Sequence, residues 1–325
     1  MATHKILNYG GLRDEHITFL EQENYEVLTV GVTDRDAIHR EIGACHVTVA
    51  SVALEYDDAF FENCPDLKAI ARMGVGVDCI DLAAATRHGV QVINTPRAII
   101  EPVAEHTFSL LFAAVRNIAL EDRVMRSGTF RRDDVCPGPE LLGKTLGVVG
   151  FGNCGRRVAE IGHLGFSMKV LYTDLVDAPP EVESRLGAER RELHALLEEA
   201  DFVTVHVNLS DSTRNLFDES AFRAMKETAF FVNCSRGPVV VEDALVRALR
   251  EGWITGAGTD VFVVEPPPPD HPFFSLDNMV VSPHRGGRTW ESAVEISRSV
   301  AEDVDRFLKG DRPKNAVNQV ELPPG

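Results

Sequence analysis

Residues 145–164 read T-L-G-V-V-G-F-G-N-C-G-R-R-V-A-E-I-G-H-L. An apolar run of strand length, Thr145 to Val149, leads into Gly150, Gly152 and Gly155, which open a helix-like segment from Arg156 to Leu164. A second apolar run, Lys169 to Thr173, ends in Asp174, about twenty residues beyond Gly155. Strand, glycine turn and helix in this order bring backbone N–H groups and the positive end of a helix onto a pyrophosphate. The first glycine allows the tight turn, the second lets backbone approach the phosphates, and the third lets helix pack on strand. Asp174 suits the two ribose hydroxyls of NAD and repels the 2′-phosphate of NADP, for which Leu175 and Val176 offer no cation. A glycine-rich turn alone is a weak signal. Strand before, helix after and acid at this distance make it a dinucleotide site, with NAD as the expected cofactor.

Outward from this stretch, the same alternation recurs in both directions. On the N-terminal side, Ile6 to Tyr9, Val27 to Val30, Val47 to Ser51, Ala69 to Met73 and Val90 to Ile93 read as short buried strands. Segments of helical period lie between them, among them Glu15 to Glu23 and Leu82 to His88. On the C-terminal side, strands are expected at Phe202 to Val205, Ala229 to Asn233, Ile254 to Thr259 and Met279 to Ser282, and a last helix at Thr289 to Leu308. A long amphipathic segment, Val103 to Ser127 with Gly128 as its stop, reads as one helix passing between domains or packing on another subunit. Two alternating blocks imply two doubly wound α/β domains with parallel sheets. The first lacks a glycine fingerprint and is expected to hold the substrate.

The 325 residues suffice for two domains, and 44% hydrophobic with 26% charged residues is a globular composition. A net charge of −17 argues against nucleic acid or an anionic membrane as main partner. The six cysteines (Cys45, Cys64, Cys79, Cys136, Cys154, Cys234) form no C-x-x-C pair, so no metal site and no disulfide framework is expected. No run reaches membrane-spanning length and no signal peptide is evident, so the expected location is the cytoplasm.

In open parallel sheets, ligands bind beyond the carboxyl ends of the strands. Cys234, Ser235, Arg236 and Gly237 follow the Ala229–Asn233 strand; Asp260 and then Glu265 follow Thr259; Pro283, His284, Gly286 and Gly287 follow Ser282. An arginine, a carboxylate and a histidine thus converge on one sheet edge. Hydride transfer to the keto carbon of a 2-oxo acid leaves an alkoxide that needs a proton, which a histidine can supply. A carboxylate beside the imidazole fixes its tautomer and favours its charged form. A guanidinium holds a substrate carboxylate through two parallel hydrogen bonds. Singly, each of these residues is as well explained by an ion pair or a structural histidine; their joint placement carries the reading.

The chain resembles the D-isomer-specific 2-hydroxyacid dehydrogenases over about Lys5 to Val320. The stretches that carry the resemblance are A-R-M-G-V-G-V-D-C-I-D-L from Ala71, V-I-N-T-P from Val92, the glycine fingerprint, N-C-S-R-G-P from Asn233, T-D-V-F-V-V-E-P from Thr259 and S-P-H-R-G-G from Ser282. The resemblance implies a Rossmann cofactor domain (101–287) and a flavodoxin-like substrate domain (1–100 with 288–325), hinged to each other. It also implies a dimer formed through the cofactor domain; no regulatory domain is expected after the catalytic part, so a phosphoglycerate enzyme here would be the short form. Arg236, Glu265 and His284 stand at the family's catalytic positions. Arg72, Val75 and Gly76, with Arg236 and His284, stand at its substrate positions. Cofactor contacts are implied for Gly150, Gly152, Asn153, Cys154, Gly155, Asp174, His206, Val207, Thr213, Cys234, Ser235, Asp260 and Gly286, with Asp260 on the nicotinamide amide. Asn208 replaces the family's usual proline, Pro102 a small polar residue, and the proline run after Glu265 is longer than usual.

The expected activity is therefore NAD-dependent interconversion of a D-2-hydroxy acid and its 2-oxo acid. Arg72, which phosphoglycerate-dehydrogenase-like members also have, and Arg97 would suit a second anionic group, so 3-phosphoglycerate is one expected substrate. Glyoxylate or hydroxypyruvate is the alternative. A non-catalytic NAD-sensing dimer resembling the corepressors of this fold is a reading of another class. A formate enzyme would carry glutamine at Glu265, and a methyltransferase would leave the Arg-Glu-His convergence unexplained.

Overall fold

The computed structural model describes residues 4–51, 54–130 and 137–323. The chain begins β1 (Lys5–Asn8), α1 (Asp14–Gln22), β2 (Glu26–Thr29), α2 (Arg35–Ile42), β3 (Val47–Ala50), α3 (Asp58–Glu62), β4 (Ala69–Arg72), α4 (Leu82–Arg87) and β5 (Gln91–Ile93). It continues α5 (Ile100–Val115), α6 (Ile118–Arg126), β6 (Thr145–Val149), α7 (Asn153–Phe166), β7 (Lys169–Thr173), α8 (Pro180–Leu186), β8 (Ala188–Arg190), α9 (Leu193–Glu199) and β9 (Phe202–Val205). The last elements are α10 (Glu219–Ala224), β10 (Phe230–Asn233), α11 (Glu242–Arg250), β11 (Gly256–Thr259), β12 (Met279–Val281) and α12 (Trp290–Leu308).

Two compact units emerge, one of Met1–Ile99 with Arg288–Gly325, the other of Ile100–Gly287. In the first, the described strands form a parallel sheet of order β2-β1-β3-β4-β5, the flavodoxin-like order. One face packs on α2 to α4 through Ile38, Phe61 and Ala84; the other packs on α12 through Val300, Val304 and Phe307. The C-terminal segment returns to this sheet, where the Asn318 side chain accepts from the Val92 N–H at 2.7 Å.

In the second unit the described strands run β12-β11-β10-β9-β6-β7-β8, all parallel. Strand order reverses between β6 and β9, where the glycine turn emerges, so the turn lies at the topological switch point. β9 and β10 are buried along their whole length, which is why they read as unbroken apolar runs. One face carries α9 to α11, the other α5, α7 and α8.

The single long helix expected over 103–127 is two helices. Asn117 adopts φ 53°, a left-handed conformation that ends α5 and starts α6, while the apolar pattern runs on across the break. α5 begins where the chain enters the second unit and packs there on α7, β10 and β11. α12, with a capping box built by Thr289 and Ser292, belongs to the first unit. Cys136 lies outside the described residues; the other five cysteines are free thiols.

Candidate active site

The three fingerprint glycines are glycine for different reasons. Gly150 has φ +91°, and a Cβ there would lie 2.7 Å from the His206 carbonyl carbon. A Cβ at Gly155 would lie 2.0 Å from the Gly150 oxygen, so α7 can meet β6 only without one. Gly152 differs. Its φ of −72° suits any residue and its Cβ would meet no protein atom within 4 Å. Nothing in the protein's own packing requires glycine at 152, and the space a Cβ would fill is open to a phosphate. Gly152 also caps α7 without a side-chain hydrogen bond, which leaves the first N–H groups of that helix for an anion. The residues present fit a dinucleotide pyrophosphate.

The Asp174 carboxylate accepts the Phe151 N–H at 2.5 Å and the Val176 N–H at 3.3 Å, which fixes it beside the turn. A cation does stand near, contributed by β8: Arg190 donates to the Asp174 carbonyl at 2.8 Å and pairs with Asp177 at 3.1 Å. Val207 lies against Gly150, and Thr213 closes the following loop by donating to the Asn208 carbonyl at 2.6 Å. Asn153 and Cys154 form the first turn of α7. Burial raises both the Cys154 and Cys234 thiols, Cys234 to about 12. Neither is poised as a nucleophile. Burial pushes the His206 imidazole down to about 4, and its Nε2 is enclosed with no partner although the residue as a whole is part-exposed.

Arg236, Glu265 and His284 all lie in the second unit, beyond the ends of β10, β11 and β12. Asn233 organises the first turn: its Oδ1 accepts from the Ser235 N–H and hydroxyl, and its Nδ2 donates to the Arg236 carbonyl. A Cβ at Gly237 would lie 1.9 Å from the Phe262 carbonyl carbon, so the Arg236 turn packs directly on the loop that bears Glu265. Glu265 Oε1 accepts the Phe262 N–H at 3.0 Å and Oε2 meets His284 Nδ1 at 2.6 Å. Burial would raise the Glu265 carboxyl, but the bonds from His284 and Phe262, with the Arg236 charge, outweigh it and hold it below the usual range. Nδ1 is thereby committed, and Nε2 of a half-exposed imidazole is left to work.

Asp260 is almost wholly buried, and its carboxylate serves the chain. Oδ1 accepts from the Ser282 hydroxyl at 2.5 Å and the Arg285 N–H at 2.8 Å; Oδ2 accepts the Gly286 N–H at 2.6 Å. His106 of α5 joins this cluster, a residue that sequence reasoning passed over because nothing in its neighbourhood of α5 signals a contact with strand tips far along the chain.

In the first unit, β4 ends at Arg72 and the chain turns through Gly74 at φ +156°. The carbonyls of Gly74, Val75 and Gly76 accept from Thr95 N–H (2.9 Å), Asn94 Nδ2 (2.9 Å) and Arg72 Nε (3.1 Å). Each trans peptide then turns its own N–H the other way, so the N–H groups of Val75, Gly76 and Val77 point away from those anchors.

Comparison with known proteins agrees with this reading. The family model described as D-isomer specific 2-hydroxyacid dehydrogenase, NAD binding domain, matches residues 108–286. A glyoxylate reductase of Korarchaeum cryptofilum (strain OPF8) is 40% identical over 297 residues, covering 90% of this chain and 89% of the relative. Among solved structures, the holo form of Rhodotorula graminis D-mandelate dehydrogenase superposes with a TM-score of 0.91 at 28% identity, over 100% of both chains. D-lactate dehydrogenase from Aquifex aeolicus, complexed with NAD and lactic acid, gives a TM-score of 0.86 at 27% identity, over 99% of this chain and 100% of that one. The chain belongs to the D-isomer-specific 2-hydroxyacid dehydrogenase family. It is an NAD-dependent oxidoreductase that interconverts a D-2-hydroxy acid and its 2-oxo acid. Among the described residues, no helix is long and apolar enough to cross a membrane.

Proposed function

We propose that this enzyme reduces glyoxylate, or a 2-oxo acid of similar size, to the corresponding 2-hydroxy acid, with His284, Glu265 and Arg236 as its catalytic set. The observation that carries the residue assignment is the 2.6 Å bond between His284 Nδ1 and Glu265 Oε2. NADH, when bound, supplies the hydride. The glycine turn and the α7 N-terminus bind its pyrophosphate, and Asp174 binds its adenosine ribose. Arg236 holds the substrate carboxylate through its guanidinium. His284 Nε2 gives its proton to the carbonyl oxygen as that oxygen becomes an alkoxide, while the Glu265 carboxylate stabilises the imidazolium beforehand. The reverse reaction returns the proton to the same nitrogen.

The substrate proposal draws on the curated relatives, several of which are glyoxylate reductases at 36–40% identity. These relatives do not support 3-phosphoglycerate, and in the structure Arg72 donates its Nε to the Gly76 carbonyl at 3.1 Å. Steady-state reduction of glyoxylate, hydroxypyruvate, pyruvate and 3-phosphohydroxypyruvate with NADH tests it. Glyoxylate is expected to show the highest kcat/KM, and a preference for the phosphorylated acid would overturn the proposal. We further read the enzyme as a cytoplasmic homodimer joined through the cofactor unit, whose Ile118, Met125, Phe130 and Leu142 are exposed apolar side chains. Light scattering in solution tests the dimer; a monomer would contradict it.

A further inference from the structure

His284 takes φ +51°, a conformation rare and strained for a residue other than glycine. Such a backbone persists only where its surroundings over-determine it. Here they do so through one aspartate. The His284 N–H donates to the Asp260 carbonyl at 2.7 Å and approaches the Ser282 carbonyl at 3.1 Å. The Asp260 carboxylate meanwhile grips the turn on both sides of His284, taking the Ser282 hydroxyl before it and the Arg285 and Gly286 N–H groups after it.

One partner comes from outside this strand-and-turn assembly. His106 Nε2 lies 2.8 Å from Ser282 Oγ and 3.3 Å from Asp260 Oδ1. The serine spends its one hydrogen on Asp260, so His106 Nε2 must be the donor of the first bond. The result is a chain of donors, imidazole to hydroxyl to buried carboxylate. Gly286 makes room for it, since a Cβ there would lie 3.5 Å from His106 Cδ2 and 3.0 Å from Asp260 Oδ2. Burial would raise the Asp260 carboxyl, yet His106, Ser282 and the two N–H groups keep it below the usual range and therefore ionised. An ionised carboxylate is what the two backbone donors of the turn require.

We propose that His106 is a positioning residue of this dehydrogenase, holding Ser282 and Asp260 and through them the left-handed turn that presents His284. The assignment rests on His284 as the acid–base residue. It predicts a larger loss in turnover than in cofactor binding, because the misplaced group is the imidazole and the pyrophosphate cradle is untouched.

The test compares the parent with His106→Ala, His106→Gln, Ser282→Ala and the His106→Ala/Ser282→Ala double variant. NADH affinity is measured by fluorescence titration and kcat with the best 2-oxo acid of the panel. His106→Ala is expected to lose about tenfold or more in kcat, as small misplacements of reacting groups do, with NADH Kd within about twofold. His106→Gln, whose amide N–H can replace the Nε2 donor, is expected to recover most of the loss. The double variant is expected to fall short of the product of the two single losses. Parent-like kcat in His106→Ala overturns the proposal. So does a parallel loss of NADH affinity, a failure of Gln to rescue, or strict additivity. His284→Ala, run alongside, separates the two claims: if it turns over like the parent, both fail, whereas an inactive His284→Ala with a parent-like His106→Ala removes only this one.

Discussion

Glu265 Oε2 stands 2.6 Å from His284 Nδ1, and the carboxylate's other oxygen is tied to the Phe262 N–H of its own loop at 3.0 Å. The carboxylate is thus aimed before any substrate arrives, and it settles which imidazole nitrogen is left for the reaction. Glu265→Gln should keep the shape of this contact and lose its charge. The expected result is a fall in kcat by about ten- to hundredfold, smaller than removal of the imidazole itself. Steady-state kcat of the parent, Glu265→Gln and His284→Ala with the same 2-oxo acid and saturating NADH checks it.

Substitution of the fingerprint glycines should separate by cause. Gly155→Ala puts a methyl group 2.0 Å from the Gly150 oxygen and is expected to destabilise the fold by about 1–3 kcal/mol. Gly152→Ala meets no protein atom, so its melting temperature without cofactor should match the parent's while its NADH affinity falls. Thermal melts with and without NADH distinguish the two.

Asp174 and Arg190 carry opposite charges at the same loop, Arg190 donating to the Asp174 carbonyl at 2.8 Å. Asp174→Ala should weaken NADH and strengthen NADPH binding, because it removes the repelling carboxylate and leaves the Arg190 guanidinium beside the same loop. Adding Arg190→Ala should abolish the gain in NADPH affinity. Titration of both cofactors against the three proteins is the measurement.

His206 should make the enzyme acid-sensitive. Its imidazole titrates at about 4 in the folded protein, against an ordinary value near 6.5. Between those values the unfolded chain binds a proton that the folded chain refuses, so stability falls as pH falls through that window. From pH 7 to pH 5 the contribution lost is about 2 kcal/mol. Denaturant titrations at the two pH values should show this slope for the parent and a flatter one for His206→Gln.

Much of the architecture was legible from residues alone because parallel strands buried on both faces read as continuous apolar runs. β6, β7 and β9 fall on the residues expected, and the others within a residue or two. β8 was not legible: three residues at the sheet edge, A-E-R, carry no periodicity, and Arg190 was overlooked with them. The α5–α6 break was hidden because apolar spacing continues through Asn117, whose backbone angle no side-chain pattern reveals. Arg236, Glu265 and His284 could be placed from the rule that ligands bind beyond strand tips. What Asp260 does could not, since its partners Ser282, Arg285 and Gly286 lie more than twenty residues on, and His106 far earlier in the chain.

The central claim is that His284 donates the proton. Single-turnover reduction of glyoxylate by His284→Ala loaded with NADH tests it most directly. The expected rate is at least about a hundredfold below the parent, with NADH bound as tightly as by the parent. A parent-like rate from that loaded variant would contradict the account.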